Sequence, residues 1–343
     1  MRAITAVWIF ICMAMLLPAP CHARVTGLCS NCHTMHNSQG GTAIQTSGTL
    51  NPSLLLATCV GCHSASTDDT ITYLTPYLEP GTSSSSTSKT PIVFNITEPT
   101  TPLAGGNFFW LTQDPHKGHN VANISPSTSA PPGYTTALEG TTGALDWGNN
   151  SLTCAGKYGC HGDRSQATEI KAVSGAHHAN GSTVATSYRF LDGIVGVEDT
   201  DWEQTKSATD HNFYMGKDRS IETDTASNDG TISYLCAECH GAFHNGSGNI
   251  SSTFASPWLR HPTDYALPNT GDYAGYDPAT LYNPNVPVAW EDPQIPIRSE
   301  AVVMCLSCHR AHGSPNSAIL RWDYKGWPNS ETYGCFTCHT SKD

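Results

Sequence analysis

Cys305-Leu306-Ser307-Cys308-His309-Arg310-Ala311-His312 holds the pattern that decides the fold of this 343-residue chain. Cys-x-x-Cys-His recurs at Cys29 to His33, Cys59 to His63, Cys236 to His240 and Cys335 to His339, five copies in all. In this motif the two thiols add to the vinyl groups of a c-type haem, and the adjoining histidine reaches the iron from the proximal side. A zinc knuckle, a redox dithiol or a disulfide explains a lone Cys-x-x-Cys, but none of them requires histidine directly after the second cysteine five times. The sequence therefore predicts a multihaem cytochrome.

A sixth site is spaced differently. Cys154-Ala155-Gly156-Lys157-Tyr158-Gly159-Cys160-His161 has five residues between its cysteines, and Gly156 and Gly159 would let the extra residues loop out. The competing reading is a Cys154–Cys160 disulfide with His161 incidental. With this site the covalent attachments are Cys29, Cys32, Cys59, Cys62, Cys154, Cys160, Cys236, Cys239, Cys305, Cys308, Cys335 and Cys338, and the proximal ligands are His33, His63, His161, His240, His309 and His339. The expected cofactor is haem c, six copies.

The remaining cysteines, Cys12 and Cys21, lie in residues 1–23, which read as a secretory signal peptide: Arg2, then an apolar run from Ala3 to Leu17, then Cys21-His22-Ala23. Cys21 as a lipidated residue is the alternative, and Pro20 fits it poorly. No later stretch approaches membrane-spanning length. Export matches the chemistry, because haem is attached outside the cytoplasm to thiols held reduced until they react. The formal charge of −12 argues against a nucleic-acid partner. It is compatible with oxidised metals or basic faces of other c-type cytochromes.

Apolar residues make up 38% of the chain, and 30 Gly and 22 Pro interrupt every stretch that might become a long helix or strand. The expected fold is mostly irregular coil with short α-helices, a single elongated domain over 24–343 organised by haem. Helical turns are expected at the Cys-x-x-Cys-His segments, over Asn51 to Ala57 and over Gln166 to Ala179. Residues 75–150, with Gly81-Thr82-Ser83-Ser84-Ser85-Ser86-Thr87-Ser88, read as loop-rich surface. Successive haem histidines stand 30, 98, 79, 69 and 30 residues apart, so there is no fixed repeat.

Nine histidines remain for the distal sides: His36, His116, His119, His177, His178, His211, His244, His261 and His312. The chain past residue 23 holds only Met35, Met215 and Met304, so six bis-histidine, low-spin haems are expected. His36, His244 and His312 follow their proximal histidines by three or four residues, which puts both rings on one side of a helical turn. The second ring must then reach a neighbouring haem. His119, His261 and one of His177 and His178 complete the set; His211 is the strongest substitute and His116 the weakest candidate.

Cys32-His33-Thr34-Met35-His36-Asn37-Ser38, Lys117-Gly118-His119-Asn120, Leu259-Arg260-His261-Pro262, Cys305 to His312 and the terminal Cys338-His339 resemble the extracellular hexahaem cytochromes of metal-reducing bacteria that polymerise into conductive filaments, the OmcS-type nanowire cytochromes. That resemblance implies that His36 ligates a haem of the next copy of the chain. It also implies electron delivery to extracellular metals or other terminal acceptors, at the outer-membrane surface or beyond it. The third site departs from the family, having Cys-x5-Cys-His and then Gly162-Asp163-Arg164 with no histidine three residues on. A discrete periplasmic or outer-surface shuttle, or a multihaem reductase with one open iron at the Cys154–His161 site, are the alternatives. The surplus of histidines argues against an open iron, and the chain is expected not to be an enzyme.

Overall fold

The computed structural model describes residues 33–34, 36–39, 42–43, 54–55, 58–65, 70–72, 89–134, 147–173, 191–219, 230–243, 261–326 and 334–341. Regular structure among them is sparse. Five helical turns, α1 (Cys59–Cys62), α2 (Glu169–Ala172), α3 (Ile232–Ala237), α4 (Cys305–Cys308) and α5 (Cys335–Cys338), are separated by strands of two or three residues and 3-10 turns. The strands combine only into two-stranded pairs, four antiparallel and one parallel.

Three of these helices are Cys-x-x-Cys segments themselves and α3 runs into the fourth, because a single turn is all that two thiols and one imidazole need. Thr58 caps α1, accepting the Gly61 N–H at 3.4 Å, and Thr231 caps α3, accepting the Tyr234 N–H at 3.2 Å. α2 falls within the turn expected over Gln166 to Ala179; of Asn51 to Ala57 only Leu54 and Leu55 are described.

Small apolar clusters replace a single core. Leu191, Ile194, Tyr214, Ile232, Leu235, Ala289 and Met304 form one, and Leu267, Tyr276, Tyr282, Val288, Trp290, Ala301 and Val303 form a second. Met304 is wholly buried in the first, which leaves it a packing residue. The second carries α4 through the Val302–Val303 strand, paired with Tyr265–Ala266.

Residues 91–121 differ from the surface loop that their composition suggests. They are largely irregular yet carry a buried face, with Ile92, Leu103, Phe108, Trp110, Leu111 and Val121 all inside. The reason is polar pairing: the buried Asn107 donates from Nδ2 to Asn95 Oδ1 at 2.6 Å and accepts the Asn95 N–H at 3.1 Å. Side-chain amides thus satisfy backbone groups that a buried loop would leave unpaired. Trp290→Ala, which empties the centre of the second cluster, is expected to cost about 3–5 kcal/mol. A guanidinium melt of the holoprotein monitored by far-UV dichroism checks it.

Candidate functional site

Each described Cys-x-x-Cys-His turn closes in the same way. The histidine N–H donates to the carbonyl of the first cysteine, at 2.9 Å for His63 on Cys59, 2.9 Å for His240 on Cys236, 3.1 Å for His309 on Cys305 and 3.0 Å for His339 on Cys335. The longer sixth motif makes that bond too, with the His161 N–H on the Cys154 carbonyl at 3.0 Å. Its extra residues bulge through Gly156, whose φ is +82°. A Cβ on Gly159 would lie 2.5 Å from the Ala155 nitrogen. Glu169 on α2 accepts the Cys154 N–H at 2.7 Å and holds the bulge from behind. Cys154 and Cys160 are not bridged to each other.

The imidazoles are aimed by their Nδ1 atoms. His63 meets the Pro91 carbonyl at 2.9 Å, His119 that of Ala311 at 2.6 Å, His240 that of Pro132 at 2.6 Å, His261 that of Pro262 at 2.9 Å and His309 that of Ala318 at 2.8 Å. A carbonyl only accepts, so Nδ1 carries the proton and the Nε2 lone pair is left for a metal. Burial pushes His63, His240 and His309 below the usual histidine range and His119 down to about 4, which keeps these rings neutral at pH 7.

Three motif histidines lie close to a histidine distant in sequence. Ring centroids are 6.1 Å apart for His240 and His119, 6.3 Å for His161 and His312, and 6.3 Å for His339 and His261. An imidazole bound through Nε2 at about 2.0 Å places its centroid about 3.1 Å from the metal, so two trans imidazoles stand about 6.2 Å apart. The three separations fit one iron between each pair. Ring planes cross at 46°, 41° and 89° respectively.

Not every candidate is placed this way. His309 faces no imidazole among the described residues, and His312, three residues on, turns to His161 instead. His36 is exposed on the turn that the Thr34 hydroxyl organises by donating to the Ser38 carbonyl at 2.9 Å. His211 is buried against Tyr282, with ring centroids 3.5 Å apart and planes 11° from parallel, and beside Phe213 at 4.3 Å. His116 is exposed on Asp114 at 2.9 Å. His177, His178 and His244, like Cys29 and Cys32, lie outside the described residues.

The attachment cysteines fall into a sequence. Cys59, Cys154 and Glu169 bring their donor atoms within 4.8 Å of one another, and the Cys236 thiol hydrogen-bonds Cys305. Cys239 is within electrostatic range of Cys160, and Cys308 of Cys335 and Cys338. Arg164 locks the third motif to the fourth, its Nε 2.8 Å from the Glu238 carboxylate. Near His309 lies Arg321, and Arg310 and Lys206 gather around it. Arg321 bonds the Leu306 and His309 carbonyls through Nε, and its buried Nη1 has no partner. Burial and these two arginines push Lys206 down to about 8, while burial and Arg321 push Arg310 down to about 10. Such a surplus of positive charge fits the propionate carboxylates of a porphyrin. Thiol pairs, aimed imidazoles and surplus cations together fit haem c.

A family model described as "Doubled CXXCH motif" matches residues 296–343, which contain the last two motifs. The chain is similar to the C-type cytochrome OmcS of Geobacter sulfurreducens, with 26% identity over 382 aligned residues that cover 90% of this chain and 83% of that protein. Among solved structures it is similar to the Outer Membrane Cytochrome S filament of that organism, at 20% identity and a TM-score of 0.44, covering 88% of this chain and 85% of the other. A cryo-EM structure of the OmcS nanowires gives 19% identity and a TM-score of 0.42, covering 87% and 84%. The chain thus resembles OmcS-type cytochromes along most of its length.

His312→Ala is expected to leave the haem on Cys154 and Cys160 five-coordinate and high-spin, although His312 is next but two to His309. Resonance Raman spin-state markers check the change. Gly159→Ala should yield a chain one haem short, read by intact mass, because the added methyl collides with backbone that cannot yield.

Proposed function

We propose that this chain is a multihaem c-type cytochrome that conducts electrons through six bis-histidine haems. The observation that carries this reading is the set of three imidazole pairs at 6.1–6.3 Å, each joining a haem-motif histidine to a ring far away in sequence. Bound haem would supply a one-electron ferric/ferrous couple at each centre. The chain's part is to hold two neutral imidazoles on each iron, so that coordination is unchanged between oxidation states and little rearrangement opposes transfer. His119 serves the haem on Cys236 and Cys239, His312 the haem on Cys154 and Cys160, and His261 the haem on Cys335 and Cys338. His177, His178, His211 and His244 remain candidates for the others.

The close approach of Cys59 to Cys154 and of Cys236 to Cys305, with Cys239 in electrostatic range of Cys160 and Cys308 of Cys335, supports a single conduction path in chain order. No helix among the described residues is long and apolar enough to cross a membrane. With residues 1–23 read as a secretion signal, the protein acts outside the cytoplasm, at the cell surface or beyond, with other c-type cytochromes as donors and metal oxides among its acceptors.

We also infer that copies of the chain polymerise through His36. His309 faces no imidazole among the described residues, and the exposed His36 is presented on a well-held turn. One supplies an iron side and the other a ligand, so His36 of one copy would complete the haem on Cys305 and Cys308 of the next. The same feature of His309 suits an iron open to substrate, the reductase alternative, and one experiment separates them. Wild type should be filamentous by electron microscopy, carry six haems by mass and be wholly low-spin; His36→Ala should be short or monomeric with one high-spin haem. A monomeric, wholly low-spin wild type would sink the filament and leave a discrete carrier. A high-spin haem in the wild type would favour the enzyme.

A further inference from the structure

Asp272 sits in a 3-10 turn over Gly271–Tyr273, far in sequence from the last haem motif, yet it meets that motif at several points. Its Oδ2 lies 2.6 Å from His339 Nδ1. Its carbonyl accepts the Thr340 N–H at 2.7 Å and the Thr340 hydroxyl at 2.8 Å, and its Oδ1 accepts the Ser341 N–H at 3.3 Å. Thr340 Oγ1 in turn accepts the Gly275 N–H at 3.1 Å. The side chain is therefore fixed by its surroundings, and His339 and Asp272 are both largely shielded from water.

The acceptor sets His339 apart. His63, His119, His240, His261 and His309 all turn Nδ1 to a neutral backbone carbonyl. The exposed His116 also has its Nδ1 on a carboxylate, that of Asp114, but in open solvent. A carboxylate draws the Nδ1 proton more strongly than an amide oxygen does, and the bond is charge-assisted. The ring then gains imidazolate character and becomes a stronger donor through Nε2. A stronger donor, with an added negative charge close by, favours ferric over ferrous iron.

On the reading of Cys335 to His339 as a haem site, we propose that Asp272 is a positioning residue that acts through His339 to lower the midpoint potential of the C-terminal haem. The conduction path would then carry a built-in potential step at one end. A handle on this one centre comes from its ligands, since the His261 and His339 planes cross at 89° whereas the other two pairs cross at 46° and 41°. Perpendicular planes leave two iron d orbitals nearly degenerate, which gives a ferric low-spin signal of unusually large g anisotropy.

The experiment is an EPR-monitored redox titration of the holoprotein in wild type, Asp272→Asn and Asp272→Glu. Asparagine keeps the shape, the main-chain bonds to Thr340 and one side-chain acceptor oxygen, so His339 meets a neutral amide oxygen in place of the carboxylate and only the long 3.3 Å bond from Ser341 is given up. In Asp272→Asn the large-anisotropy signal should titrate at a higher potential, by a tenfold change in the reduced-to-oxidised ratio at fixed potential, about 59 mV. The other signals should hold, and Asp272→Glu should stay near wild type. An unchanged potential in Asp272→Asn overturns the proposal. So does an equal shift of every haem, or conversion of that haem to high spin in both variants, which would make Asp272 a clamp alone. A digest showing residues 334–341 without covalent haem would overturn the haem assignment itself, and this proposal with it.

Discussion

Everything in this fold depends on where an imidazole points. The chain has few long runs that could form extended helices or sheets, and its apolar residues gather into small separate clusters. What recurs is a neutral histidine with Nδ1 tied to a backbone carbonyl and Nε2 left over. Once each Nε2 takes an iron, the pairs His119 with His240, His161 with His312 and His261 with His339 become cross-links over long stretches of chain. Ligation then supplies cohesion that burial does not, as metal binding does in small metalloproteins. On this reading loops are tolerated because their ends would be tied to iron.

The same constraint accounts for conduction. A histidine placed three residues past its own haem motif cannot reach the other face of that haem, so it binds a neighbour. His312 is placed for this, lying 6.3 Å from His161 although it follows His309. On the proposed reading each such swap would bring two haems to either side of one short turn, in keeping with the close approach of Cys59 to Cys154 and of Cys236 to Cys305. Holding the fold together and keeping the haems close are one arrangement.

Much of this was legible in residue identity and spacing, because covalent haem chemistry demands local patterns. The four Cys-x-x-Cys-His turns among the described residues could be read directly, and the glycines of the sixth motif foretold the bulge that lets His161 bond the Cys154 carbonyl. Coil with short helices followed from Gly and Pro content. What could not be read depends on contacts between distant residues. Asn95 with Asn107 makes a buried segment out of a composition typical of surface loop. Tyr282 and Phe213 enclose His211, which spacing treats as one more candidate ligand. Lys206 and Arg321 belong to no motif, and their approach to Arg310 arises only in the fold.

The claim on which the account rests is that every iron has two imidazoles. Near-infrared magnetic circular dichroism of the fully oxidised, assembled holoprotein tests it most directly, because the charge-transfer band separates bis-histidine from histidine–methionine and high-spin haem. The account predicts bis-histidine intensity equal to six haems per chain. A histidine–methionine band, or a high-spin band equal to one or more haems, would contradict it.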